Sequence, residues 1–284
     1  NAVDSKGMTL LHYALKHGFY AGVDKILAAG GDVNIVDNNG CNALIYACTL
    51  PHIKYTKMII DRTSDFKVKV KDTGDNAMHC LLENVRNNML HMDEIREIDP
   101  SVGDSVSLML GGNNNFNVNI KGLFIREMNL GTGAGGYSMP QHKTLLITQY
   151  LQKKANYALI KDINNDGYTP YQKVCLYKQT YLAKKLQAEF AIDLEKLGEQ
   201  NLEGAICAML LGETALLEKI ITTNKAVLKA SDAQGTSLVH FAAMLADADN
   251  MKILLKHGAN PNVVNKNLAY PIVLAIAAQG GEQV

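Results

Sequence analysis

Three groups of residues have the types and spacing that chemistry would use. Residues 130–140 read LGTGAGGYSMP, and Gly131, Gly133 and Gly136 satisfy G-x-G-x-x-G, the spacing that cradles a pyrophosphate. His79 directly precedes Cys80, which sets a base beside a thiol nucleophile. The run HMDE supplies His91, Asp93 and Glu94, and His142 follows further on; these are metal-ligand types. Whether any of them can act depends on the elements that hold them.

Composition narrows the field first. The chain has 284 residues, 47% hydrophobic and 20% charged, the profile of an ordered protein with one extended or two compact domains. Its 28 basic and 28 acidic side chains cancel, which argues against nucleic acid as the main partner, because phosphate binding needs a surplus of Lys and Arg. No apolar run reaches the roughly 18–20 residues that span a bilayer, and no signal-peptide pattern is read. Cys41, Cys48, Cys80, Cys175 and Cys207 are scattered and odd in number, without a C-x-x-C, so reduced thiols in a cytoplasmic protein are expected.

The strongest pattern is repetition. Residues 4–37 read DSKGMTLLHYALKHGFYAGVDKILAAGGDVNIVD, and residues 232–265 read DAQGTSLVHFAAMLADADNMKILLKHGANPNVVN. In both, an Asp/Gly turn leads to Thr or Ser, an apolar pair and a His. A short apolar helix, a second helix and a Gly-rich turn follow. Asp4 to Asp37 and Asp232 to Asn265 both span 33 positions. These residues resemble the ankyrin repeat, whose signature is D-x-x-G-x-T-P-L-H-x-A-A followed by G, V-x-x-L-L and G-A-x-V-N. Weaker copies are DNNGCNALIYA, DTGDNAMHCLL, NNDGYTPYQKV, GAICAMLLGETALLEKII and NKNLAYPIVLAIAAQGGEQV, so about seven units are read, the middle ones degenerate.

The resemblance implies an all-α ankyrin-repeat solenoid. Thr9 and Ser237 are placed to cap helices, and Gly30 and Gly258 to end them with positive φ. It also implies that His12, His79 and His240 bond backbone groups of the neighbouring turn. Because no repeat buries its apolar face alone, stability should come from stacking. Gln279–Val284 aligns with the link to a second helix, so the last unit is expected to leave an apolar face open, as in a fragment of a longer polypeptide.

In unit one His12 lies 11 residues before Val23, whereas His79 lies 68 before Ile147. About 55 extra residues therefore separate the two helices of unit three, and insertions in solenoids map to loops on one face, often the binding face. The domain reading is residues 1–84 (units one, two and half of three), 85–142 (the insertion) and 143–284 (the rest). Residues 85–100 read as an extension of the first helix. NFNVNIKGLFIREMNL alternates apolar and polar residues about Lys121-Gly122, which predicts a β-hairpin at 116–130. The helix after the glycines is expected to begin near Lys143.

These elements decide the chemistry. A dinucleotide loop follows a buried parallel strand and opens a helix directly. Here a short hairpin precedes the glycines and Pro140 separates them from the next helix, so they read as a flexible return. Adjacent helix residues do not face each other, which speaks against His79 and Cys80 as a catalytic pair. HMDE lacks the H-E-x-x-H spacing and reads as solvated loop. No cofactor and no metal are expected.

What remains is recognition. The resemblance implies contact with a protein through hairpin tips and the exposed side of first helices. By position these are Lys6, Met8, Lys16 and His17, then Asn38, Asn39 and Leu50, then Tyr168 and Tyr177, then Gln234 and Met244. The insertion adds Phe116, Phe124 and Arg126. Asn34 and Asn262 resemble the Asn hydroxylated in many ankyrin repeats, although Pro261 replaces the aliphatic residue in unit six. The expected function is a non-enzymatic, monomeric protein-binding scaffold with no nucleic acid or membrane partner. Degenerate repeats, Asn/Lys-rich loops and the long insertion are similar to ankyrin-repeat effectors of intracellular bacteria such as Legionella or Coxiella, which act on host proteins in the host cytosol. The alternative is the targeting arm of a larger enzyme, for example a cysteine hydrolase, with its catalytic domain outside this chain.

Overall fold

The computed structural model describes residues 1–83, 85, 139–156, 158–177, 179–198 and 201–280. Thirteen α-helices run through them: α1 (Leu10–Lys16), α2 (Tyr20–Ala28), α3 (Ala43–Thr49), α4 (Ile53–Arg62), α5 (Ala77–Glu83), α6 (Met139–Lys154), α7 (Pro170–Leu176), α8 (Thr180–Glu189), α9 (Leu202–Leu210), α10 (Thr214–Thr223), α11 (Leu238–Met244), α12 (Ala248–Lys256) and α13 (Pro271–Gly280). No sheet forms among the described residues. Isolated bridges join Val3 to Thr9, Lys69 to Asn76 and Ser231 to Ser237 at the bases of hairpins.

The first helices are about seven residues long, too short to persist alone in water, so their ends carry much of the specification. Thr9 is extended (φ −88°, ψ 168°), and its hydroxyl accepts the His12 N–H at 3.3 Å while its own N–H donates to His12 Nδ1 at 3.0 Å. That reciprocal cap satisfies two orphan groups at once. Ser237 and His240 repeat it, and Asn76 with His79 does the same with an amide. In unit four Gln172 takes the His role: its Oε1 accepts the Thr169 N–H at 2.6 Å.

The chain forms two compact units, Asn1–Lys173 and Val174–Val284. In the first, α1 packs on α2 and α3, α3 on α4 and α5, and α6 on both α4 and α5. In the second, α9 packs on α10 and α11, and α11 on α12 and α13. Stacked first helices bury one row each, with Leu11, Leu44 and Met78 in the first unit and Ala205 and Val239 in the second. Each large aliphatic so buried contributes about 1.5–3 kcal/mol.

Hairpins nest tip to tip by backbone hydrogen bonds. The Asn38 N–H donates to Lys6 O at 2.9 Å, the Lys71 N–H to Asn39 O at 2.9 Å, and the Asn165 N–H to Thr73 O at 2.8 Å. The spacing requires glycine twice over at Gly40, where φ is +80° and a Cβ would lie 2.7 Å from Lys69 O.

Two expectations change. α6 begins at Met139 rather than near Lys143, so Pro140 lies inside its first turn, where a missing N–H costs nothing. The expected extension of the first helix over 85–100 lies, save for residue 85, outside the described residues. Gln279 and Gly280 continue α13 instead of forming a link, because nothing in the apolar run after Pro271 breaks the helix earlier. The predicted hairpin at 116–130 and the glycine-rich return lie outside the described residues.

Candidate partner-binding surface

Each hairpin is built on an Asx residue that gathers the turn. Asp4 Oδ1 accepts the N–H groups of Lys6 and Met8, both at 2.9 Å, and its Oδ2 accepts the Tyr13 hydroxyl at 2.6 Å. Asp37 repeats this with Asn39, Cys41 and the Tyr46 hydroxyl at 2.6 Å. Asp232 keeps the turn bonds to Gln234 and Thr236, but Phe241 stands where the tyrosines do. The Tyr13 hydrogen bond holds the Asp4 carboxyl below its usual range, and burial followed by the Asp37 bond pushes the Tyr46 phenol up.

Unit four departs from this plan. Asn164 Oδ1 accepts the N–H groups of Asp166 and Tyr168, while its amide donates to Asp75 Oδ1 at 2.9 Å. Lys173 takes the tyrosine position, and its ammonium sits 3.1 Å from Asp75 Oδ2 and 3.1 Å from Glu83 Oε2. Burial pushes the Asp75 carboxyl up, but hydrogen bonds from Asn164, Thr73 and Lys173 outweigh it and hold the group below the usual carboxylate range. Burial pushes Lys173 down, and the carboxylates of Asp75 and Glu83 reverse it.

The histidines lock one repeat to the next. His12 Nε2 bonds Ile35 O at 3.0 Å, His79 Nε2 bonds Tyr168 O at 2.9 Å, and His240 Nε2 bonds Ala269 O at 3.2 Å. Because Nδ1 accepts a backbone N–H in each, Nε2 carries the proton and donates. Burial pushes His12 and His79 below the usual imidazole range.

This geometry removes His79 and Cys80 as a nucleophile pair. Both ring nitrogens of His79 are engaged by backbone, and burial with Asp75 nearby pushes the Cys80 thiol up to about 12. A nucleophile needs a thiolate near neutral pH. None of the five cysteines forms a disulfide, and all are buried. No group of three or more His, Cys, Asp or Glu gathers among the described residues to hold a metal. His91, Asp93 and Glu94 lie outside them, and His142 falls in the first turn of α6. No described helix is long and apolar enough to cross a membrane.

Of the residues expected to meet a partner, Lys6, Lys16, His17, Asn38 and Asn39 are exposed in the first unit, with Leu50 and Tyr168 half-buried. Tyr177, Gln234 and Met244 are exposed in the second. Met8 is a correction. It is only 3% exposed, since its position, shared with Cys41 and Asp75, turns inward on the return arm of the hairpin. Phe116, Phe124 and Arg126 lie outside the described residues. Asn34 Oδ1 accepts from the N–H and hydroxyl of Ser64 at 2.8 and 2.9 Å, tying the turn after α2 to the turn after α4. Asn262 is exposed, and its N–H donates to Asn260 Oδ1.

Two signals escaped the sequence reading. The Asp-to-Tyr spacing of nine residues recurs at Asp4/Tyr13 and Asp37/Tyr46 and was legible as a repeat-phased pair. The Asp75–Lys173 pair spans 98 positions across the insertion and carries no local signal.

A family model described as ankyrin repeats (3 copies) matches residues 11–92, and one described as ankyrin repeat matches residues 234–266. Over those residues the chain carries ankyrin repeats, and ankyrin repeats are scaffolds for protein–protein interaction. Among solved structures, it is similar to the ankyrin repeat domain of Bcl-3, a member of the IkappaB family (14% identity, 95% of each chain, TM-score 0.47). It is similar also to the human ASB11 ankyrin repeat domain (12% identity, 94% of this chain and 92% of that one, TM-score 0.47). A third is a chain from the structure of the predatory endopeptidase Bd0816 of Bdellovibrio bacteriovorus in complex with immunity protein Bd3460 (13% identity, 99% of this chain and 95% of that one, TM-score 0.40).

Proposed function

We propose that this chain is a non-enzymatic scaffold that binds a protein in the cytosol through its hairpin tips and the exposed ends of its first helices. The observation that carries the reading is a division of labour within each repeat. Asp, Thr/Ser and His are consumed by caps and inter-repeat bonds, whereas Lys16 and His17 on α1 and Met244 on α11 stay exposed. Mixed Met, Tyr, Asn and Lys side chains on such a frame supply anchors with adaptable polar neighbours. The insertion between α5 and α6 is assigned as a specificity element, because it interrupts one repeat between its two helices. The resemblance to bacterial effectors extends this proposal to a host-protein partner.

Affinity capture from host-cell cytosol tests it with three proteins: the intact chain, a Lys16→Glu/His17→Glu/Met244→Glu variant, and a chain with residues 112–138 replaced by a short linker. The surface variant should lose a defined partner while melting at the wild-type temperature. Recovery of the same proteins by all three would refute both the surface and the insertion.

A further inference from the structure

Four of the five cysteines form two pairs in one register. Cys48 and Cys80 are 32 positions apart, and so are Cys175 and Cys207. Cys48 and Cys175 stand at the position of Leu15. Each lies three residues after Ile45 or Gln172, whose N–H groups are capped as that of His12 is. Cys80 follows His79 as Tyr13 follows His12, and Cys207 precedes the positive-φ Gly212 by five residues, as Tyr13 precedes Gly18. At two other junctions the same positions hold Leu15 with Tyr46 and Met209 with Phe241, all large and buried. Packing there takes bulk; the cysteine pairs bring two small side chains and two sulfurs instead.

At the fourth-to-fifth junction the two sulfurs are in contact. Cys175 on α7 and Cys207 on α9 lie within the second compact unit, are fully buried, and have their thiols hydrogen-bonded to each other. An S–S bond of about 2.05 Å would close a contact that the fold already makes. We propose that Cys175 and Cys207 are a redox-sensitive pair, which a low-molecular-weight disulfide converts into a bond stapling α7 to α9. One cysteine thiolate attacks the small disulfide, expels a small thiolate and leaves a mixed disulfide. The second cysteine then displaces the remaining small thiol. Two protein thiols are oxidised, one small disulfide is reduced to two thiols, and the two protons pass to them. Burial, ahead of the neighbouring thiol, pushes Cys207 up, so exchange proceeds when the junction opens. The same burial then shields the closed bond from reductant, which makes the change slow in both directions. The bond restricts the unfolded chain and so stabilises the second unit. None of this depends on the proposed partner surface.

Oxidation of the 284-residue chain tests the idea. The protein is held with oxidised glutathione in low urea, which populates the open junction, and returned to native buffer. Remaining thiols are then alkylated under denaturing conditions and the peptides mapped by mass spectrometry. A peptide joining Cys175 to Cys207, two hydrogens lighter than its halves, is expected. The oxidised chain should melt about 5–10 °C above the reduced one, and reductant should reverse the rise faster in low urea than in native buffer. Cys41→Ala should keep the rise and Cys207→Ala should lose it. Each variant is compared oxidised against reduced, so a packing defect left by the substitution cancels. Alkylated Cys175 and Cys207 after oxidation overturn the proposal, and so does a rise that Cys207→Ala retains.

Discussion

The hairpins led by Asp4 and Asp37 share one design, and the pair formed by the third and fourth repeats uses another at the same positions. In the first design a carboxylate gathers its own turn and takes a phenol nine residues on, entirely within one repeat. In the second the gathering residue is the neutral Asn164, the tyrosine is Lys173, and the compensating charge, Asp75, comes from the preceding repeat. A local hydrogen bond has become a buried ion pair between repeats. The difference shows that the hairpin needs a turn-gathering Asx, whereas what stabilises its outer oxygen or amide is negotiable. It also makes the third-to-fourth junction sensitive to single changes in a way that the first two hairpins are not, because removing one member strands a charge.

That contrast can be broken outright. Lys173→Ala should cost about 3 kcal/mol of stability by leaving Asp75 without its cation, read as a lower urea midpoint. The triple change Asp75→Met/Asn164→Asp/Lys173→Tyr installs the residues of the first hairpin, Met8, Asp4 and Tyr13. It should recover most of that loss. Failure to recover would mean that the two designs are not interchangeable.

Next in size are the histidine locks. His79→Ala should cost about 2 kcal/mol, because the buried Asn76 N–H loses its acceptor and Tyr168 O loses one of its two donors. His79→Gln should cost about half as much, since Gln172 already fills that role in unit four. Equal losses for the two substitutions would show that packing, not the reciprocal cap, is what the ring supplies.

The same locks set a pH dependence. The folded pKa values of His12 and His79 lie below the ordinary value near about 6.5, so the unfolded chain binds protons first and stability falls as pH drops below that value. Asp75, also lowered, contributes stability present above about 3.9, lost as pH falls through its folded value. Urea midpoints at neutral, mildly acidic and strongly acidic pH should therefore fall in two steps, the first smaller in His79→Gln. A single step confined to strong acid would contradict the neutral, buried imidazoles.

The smallest effect sharpens the first design. Tyr46→Phe should cost about 1 kcal/mol, the net value of one hydrogen bond. Tyr13→Phe, which removes an exposed hydrogen bond, should leave the melting temperature nearly unchanged. Phe241 shows that a repeat folds without the hydroxyl.

How much was legible follows from range. The caps at Thr9 and Ser237, the left-handed Gly30 and Gly258 and the bridges of His12 and His240 depend on residues within one 33-position period, and His79 holds the same repeat position although its bridge spans 89 residues; the structure has each where the repeat implied it. Met8 was misread because a hairpin's two arms are alike in sequence, and only nesting against the next hairpin shows which arm turns inward. The start of α6 was misread because proline is taken as a helix stop, although at a first turn it is a start.

By itself, the sequence determined the helical pairs, their period and the residues that cap and join them, because those interactions close over a few residues or one repeat. Tertiary structure alone decided that Asp75 meets Lys173 and that Cys80 is an inert thiol. Each of these depends on what a neighbouring repeat places against the side chain, and the burial that sets its energy has no counterpart in local spacing.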